Sequence, residues 1–232
     1  MKTIISIKWT NGEKSLALLT IFLLISQILL SNTLPLQFRF IAKPATFLSF
    51  LSLGYNQFTS TGLSHLFFAA SFFLLCPKTD DVVKQTVAFT AGFLLTGWLT
   101  VSGVIATNAY ILDSLVLLSV FFIALENIFA RKLKIENTRY LFLLFFGLVH
   151  GAAFGNTLFN TGVATGSPIF SFFSYAAGLM LGEITILALM FLIAGKFLSD
   201  KSYYKQRVVN PLSVGLAVYS IYNLVKLVLV TN

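Results

Sequence analysis

Apolar residues fall into long runs separated by short polar segments. A helix that crosses a bilayer needs about 20 mostly apolar residues. Seven runs approach or exceed that length: Ser15–Ser31, Ser60–Cys76, Val82–Ala106, Ala109–Ala130, Arg139–Phe159, Ser167–Leu198 and Pro211–Val230. The sixth is long enough that part of it is expected to tilt or to lie in the interface. Between the first two, Leu34–Thr59 is apolar but broken by Pro35, Pro44 and Gly54. Its segment Ala45–Gly54 is too short to span and is read as a re-entrant or surface helix. No soluble domain, low-complexity linker or internal repeat interrupts the pattern. The expectation is an all-α polytopic bundle forming one transmembrane domain over residues 1–232.

Composition strengthens this reading. Hydrophobic residues make up 57% of the chain and charged residues only 10%, against about a quarter in soluble domains. A water-facing surface cannot be made from so few charges. The net charge of +8 is scattered over short loops, so it offers no basic face to nucleic acid. A single cysteine, Cys76, excludes an intrachain disulfide framework and a cysteine-based zinc site. Lys2, Lys8, Lys14, Lys78, Lys84, Arg131, Lys132, Lys134, Arg139, Lys196, Lys201, Lys205 and Arg207 fall on one side of the predicted topology. Only Arg39 and Lys43 fall on the other, which predicts a cytoplasmic N-terminus and an external C-terminus. The first run follows basic residues as a signal peptide would, but Leu30-Ser31-Asn32 lacks a small-x-small cleavage pattern. It is read as a retained span.

An ionisable residue inside the membrane costs at least a few kcal/mol and requires a reason. The candidates are His65, Asp113, Glu126, His150, Glu183 and Lys226. His65, Asp113, His150 and Glu183 come from four different helices at middle to outer depth. Two imidazoles with two carboxylates suit a borderline divalent transition metal or a proton path. Gly147, Gly151 and Gly155 form one small-residue ladder, and Ser174, Gly178 and Gly182 another. Such ladders let helix backbones approach closely. The two are expected to meet, bringing His150 towards Glu183, which shares a face with Met180. Plainer roles compete: either histidine could simply satisfy a carbonyl or hydroxyl, and Asp113 could cap its helix. Glu126, just before Arg131 and Lys132, is expected to be an interfacial ion-pair partner. Lys226, near the chain end, can snorkel outward.

The segment Phe146-Gly147-Leu148-Val149-His150-Gly151-Ala152-Ala153-Phe154 resembles the FGLxHGxGF signature of the HupE/UreJ family of bacterial membrane proteins. Gly62-Leu63-Ser64-His65-Leu66-Phe67-Phe68 is similar to that family's GxDHLLF segment. Asp113, six residues before Ser119 and followed by Ala124-Leu125-Glu126-Asn127, resembles its E-x5-S…ALEN helix. Gly178-Leu179-Met180-Leu181-Gly182-Glu183 resembles its GVExGQ segment. The resemblance runs from about Gly54 to Leu198, leaving the first helix (15–31) and the last (211–230) beyond it. It implies a helical protein of the bacterial inner membrane, associated with nickel or cobalt supply to hydrogenase and urease. His65 and His150 would then be metal-handling positions, with Asp113 standing in for a glutamate. The chain departs from the family pattern at several polar positions. Phe58 and Ser64 stand where the family has His and Asp, and Phe93-Leu94 replaces a His-Ser pair. Met180 replaces a Glu, and Glu183 replaces a Gln. Met180, as a soft thioether beside two histidines, would favour copper.

Two function classes follow. One is a permease handling nickel, cobalt, copper or zinc through His65, Asp113, His150, Glu183 and Met180. The other is a non-transporting accessory subunit of a larger membrane complex, in which packing persists while ligands have been replaced. An intramembrane serine hydrolase is disfavoured because no GxSG element occurs and Pro168 supplies no N–H after Ser167. A retinal protein is disfavoured because Lys226 lies close to the membrane exit. The chain is therefore not read as an enzyme.

Overall fold

A computed structural model describes residues 46–57, 63–75, 78–130, 137–160, 167–191 and 198–231. Seven α-helices account for most of them: α1 (Phe47–Asn56), α2 (Leu63–Leu75), α3 (Thr79–Val101), α4 (Ala109–Phe129), α5 (Asn137–Asn160), α6 (Pro168–Met190) and α7 (Asn210–Thr231). No strand occurs among the described residues. Among the described residues, five segments are long and apolar enough to cross a membrane: α3, α4, α5, α6 and Lys205–Leu229. The expected first span, Ser15–Ser31, lies outside the described residues. The second is represented by the 13 residues of α2.

Local chemistry explains where the helices begin and end. Thr46 and Ser49 form a reciprocal capping box, with Ser49 N–H donating to Thr46 Oγ1 and Thr46 N–H to Ser49 Oγ. The ten residues of α1 extend about 15 Å, half the hydrocarbon thickness of about 30 Å. This is the short helix expected between the first two apolar runs. The third span ends at Val101 rather than Ala106. Gly103, at φ +73°, takes the left-handed position of a Schellman motif. Its N–H donates to Thr100 O, and Val104 N–H donates to Leu99 O, both at 3.0 Å. Pro168 opens α6 at a position where a missing N–H costs nothing. That helix stays α-helical to Met190, and Leu198–Asp200 form a turn; residues 192–197 of the expected sixth span lie outside the described residues. Ahead of α7, the chain widens into a π turn over Lys205–Val209. This accommodates Pro211, which has no N–H for the α-helical ladder.

The helices pair differently from the arrangement expected of the two small-residue ladders. Gly147 and Gly151 of α5 face α3: a Cβ on Gly147 would overlap the Phe89 carbonyl, and one on Gly151 the Phe93 carbonyl. Thr96 Oγ1 adds a bond to Leu148 O across the same seam, at 2.6 Å. Gly178 of α6 instead meets α1, where a Cβ would strike the Leu51 carbonyl; Gly54 answers it against the Tyr175 carbonyl. α5 and α6 scarcely touch, so the expected ladder-to-ladder contact is not formed. The physical reason is complementarity, because each ladder finds small residues on another helix. Gly92 and Gly97 serve α5, and Gly54 serves α6. Lipid supplies no hydrophobic drive between helices, so such close backbone approach decides the pairing.

Candidate functional site

The α3–α5 seam determines where His150 goes. With Gly151 pressed on α3, the imidazole one residue earlier turns into the bundle and is fully buried. Its Nε2 lies 2.8 Å from Ser119 Oγ on α4. Ser119 belongs to a continuous buried stripe of α4 with Val116, Val120, Ile123, Ala124 and Asn127, the spacing expected of one helix face. Phe68 of α2 lies over the imidazole, ring centroids 4.4 Å apart, and Phe89 meets it edge-on at 5.3 Å.

Beside His150 is a cavity of about 30 Å³, measured as the space open to the centre of a water molecule. That is room for a water or a small ion stripped of most of its hydration. Its polar lining comes from His150 of α5, Met180 and Glu183 of α6, and Thr90 of α3. Phenylalanine side chains at positions 68, 89, 93 and 154 supply much of the wall. Glu183 is 6% exposed, and among the described residues its Oε1 has no hydrogen-bond partner. A buried carboxyl oxygen in this condition is unusual, since nearly all buried polar atoms are satisfied.

The other candidates are placed elsewhere or lie outside the description. His65 falls in the first turn of α2, with its side chain outside the described residues. Asp113 is exposed on α4 and is not part of the cavity lining. It stands six residues before Ser119, about 9 Å along the helix axis. The cap of α4 is made by Asn108, whose Oδ1 accepts from Ile111 N–H at 3.3 Å. Lys226 is exposed on α7. Among the described residues, no three His, Cys, Asp or Glu side chains come together as a metal-holding group.

A second buried polar cluster lies beyond the cavity, centred on Arg139 in the first turn of α5. Its guanidinium is fully buried. Nε donates to Gln85 Oε1 at 2.8 Å, Nη1 to Asn127 Oδ1 at 3.2 Å, and Nη2 to Ser71 O at 3.3 Å. Nη1 also pairs with Glu126 Oε2 at 2.8 Å. Glu126 is thus an ion-pair partner, as expected, and its cation is Arg139. Lys205 extends the cluster by donating to the carbonyls of Asn127 and Ile128 at the end of α4. Residues of α2, α3, α4, α5 and the π turn are joined here. Sequence reasoning counted Arg139 only as a loop charge. The amides of Gln85 and Asn127, placed within apolar helices, were the available signal.

The fold is that of a multi-pass helical membrane protein with a small, partly polar cavity inside its bundle. The family model described as HupE / UreJ protein matches residues 36–227, and the chain belongs to that family. The match extends beyond the motif-bearing region to include most of α7. Neither a curated protein nor a solved structure matches the chain. In the fold, the signature segment Phe146–Phe154 forms the α3–α5 seam and carries His150 into the cavity. The Ser119 and Glu126-Asn127 positions of the α4 segment reach His150 and Arg139 respectively.

Proposed function

We propose that this chain carries a divalent transition-metal cation across the membrane by way of the His150–Met180–Glu183 cavity. The observation that carries the reading is the buried Oε1 of Glu183, unpartnered among the described residues, beside an imidazole and a thioether. A carboxyl buried without a partner is costly to the fold, and a cation in the cavity would offset that cost. The available nitrogen, sulfur and oxygen donors match nickel, cobalt, copper or zinc better than magnesium or calcium. A short donor set also favours release, which conduction requires. His65 would add a second imidazole from α2. Exposed Asp113, outside the cavity lining, would attract the cation at the Asn108 end of α4. Membership of the HupE/UreJ family supports the same class of cargo. The distribution of lysine and arginine supports a cytoplasmic N-terminus, and family membership supports a bacterial inner-membrane setting.

The test is uptake of radiolabelled nickel and cobalt by cells lacking their own importers, with His150→Ala and Glu183→Ala compared at matched membrane abundance. Loss of about tenfold or more in each variant is expected, because even a partner one shell out from a bound metal typically contributes a factor of about 10 to 100. Uptake equal to wild type in both would overturn the reading. A second reading, a non-transporting accessory subunit, draws on Phe58, Ser64 and Phe93 at family positions that carry polar groups. Metal-free wild-type protein that co-purifies with a fixed membrane partner would favour it. Stoichiometric metal, lost in a His65→Ala/His150→Ala double variant, would favour transport.

A further inference from the structure

We infer that the route from the Glu183 cavity to the end of the bundle where α3 and α5 stop runs past Tyr175, whose hydroxyl is the contact that a hydrated cation meets on the way. The two helices flanking the cavity run antiparallel. Phe89 and Thr90 of α3 share the cavity with Met180 and Glu183 of α6. Further along α3, a Cβ on Gly97 would strike the ring of Phe172, which lies nearer the start of α6. Tyr175, Leu179 and Glu183 follow at four-residue intervals along one buried stripe of α6, and Tyr175 stands about 12 Å from Glu183 along the axis. It is 1% exposed, and among the described residues its hydroxyl has no hydrogen-bond partner. Thr100 of α3 carries a second buried hydroxyl in the same condition, at the place where a Cβ on Gly155 of α5 would press on it. Next to Gly155, Asn156 Oδ1 accepts from Thr107 Oγ1 at 2.9 Å and from Asn160 Nδ2 at 3.1 Å. Glu183, Tyr175, Thr100 and Asn156 thus form a succession of polar groups from the cavity to the bundle end.

In this conformation aromatic rings shut the route. Phe93 and Phe154 both wall the cavity, with ring centroids 5.6 Å apart. Phe93 stacks on Phe172 at 6.0 Å, and Phe154 meets Tyr175 at 6.0 Å. All four side chains are buried. An apolar constriction of this kind stops an ion by excluding water, and it conducts once the rings part. A phenylalanine in place of Tyr175 would pack the closed constriction without burying an unsatisfied hydroxyl, so the oxygen costs the closed state stability. Its use lies in the open state, where it can bond the water around a passing cation. The identity of the cargo rests on the transport reading above; the opening of the route does not.

Cys76 is the single cysteine of the chain, so a Cys76→Ser background lets cysteines placed one at a time be probed. The probe is a water-soluble cationic methanethiosulfonate, applied to the full-length protein in lipid nanodiscs. Tyr175→Cys is expected to react, because the reagent attacks a thiolate and a thiolate forms only where water enters. Phe173→Cys, on the 45% exposed outer side of α6, is expected to stay inert. Tyr175→Phe removes only the oxygen. It should leave the thermal midpoint at or above wild type while Ni²⁺ or Co²⁺ uptake at matched abundance falls about two- to tenfold, the range for one lost hydrogen bond. An inert, folded Tyr175→Cys would overturn the inference, and so would equal reaction at both cysteines, since reagent entering through lipid needs no route. Wild-type uptake in Tyr175→Phe would overturn it as well, even if Tyr175→Cys failed to fold. Labelling confined to Tyr175→Cys, in a protein whose wild type takes up neither metal, would support the route and overturn the transport reading instead.

Discussion

Arg139 and Glu183 are both buried ionisable side chains on apolar helices, and their surroundings could hardly differ more. Arg139 has Gln85, Asn127, Ser71 and Glu126 within bonding distance. Glu183 faces a cavity walled largely by phenylalanine, and among the described residues its Oε1 bonds to nothing. The first arrangement is complete within the fold and joins helix ends. The second requires something the fold does not supply. Buried polar groups that satisfy one another hold structure together, whereas an unsatisfied one is a place to look for a ligand.

The contrast is open to direct tests. The largest effect is expected from Arg139→Met, which strands Gln85 and Asn127 at once. Both are left as buried amides that have lost the guanidinium, each at about 1–3 kcal/mol, while Glu126, whose side chain is 37% exposed, can turn to solvent. A large fall in thermal midpoint in detergent should follow, and a midpoint near wild type would show the network to be dispensable. Glu183→Leu should behave in the opposite sense. Removing an unsatisfied buried carboxyl should leave stability unchanged or raise it by about 1 kcal/mol, while metal uptake disappears. Should Glu183→Leu destabilise as severely as Arg139→Met, the division between the two clusters would collapse.

A smaller loss, about 1 kcal/mol, is expected from Lys205→Met, because the ammonium satisfies the terminal carbonyls of α4. It should leave uptake intact once abundance is matched. The smallest effect belongs to Gly215→Ala on α7, where an added Cβ would meet nothing within 4 Å. There the gain in helix propensity, somewhat under 1 kcal/mol, should appear as a slight rise in thermal midpoint with no change in uptake. A fall would mean that this surface is covered by something in the membrane.

Much of this molecule was legible without coordinates. The apolar runs anticipated α3, α4, α5 and the final helix closely, because span length is set by bilayer thickness. The short α1 (Phe47–Asn56) was also anticipated, since Ala45–Gly54 is too brief to cross. The end of α3 was misplaced because Val104, Ile105 and Ala106 continue the hydropathy pattern after Gly103 has already turned the backbone. His150, Met180 and Glu183 were singled out for their chemistry, and they line one cavity. Ser119 drew no attention beyond its place in a motif, because a serine in an apolar helix ordinarily satisfies itself on its own backbone. Arg139 was hidden by its position at the end of an apolar run, where a charge is expected to face water or headgroups.

Sequence alone determined the helical character, the length of most spans and the inventory of unusual polar residues. These depend on local periodicity and on the cost of exposing backbone to lipid. Tertiary structure decided which helices meet and therefore what each polar residue finds opposite it. The glycine ladders advertised close contact but not its partner, since any helix with a matching gap can accept them. Once α5 chose α3 and α6 chose α1, His150 was left to Ser119, Arg139 to its network, and Glu183 to the cavity.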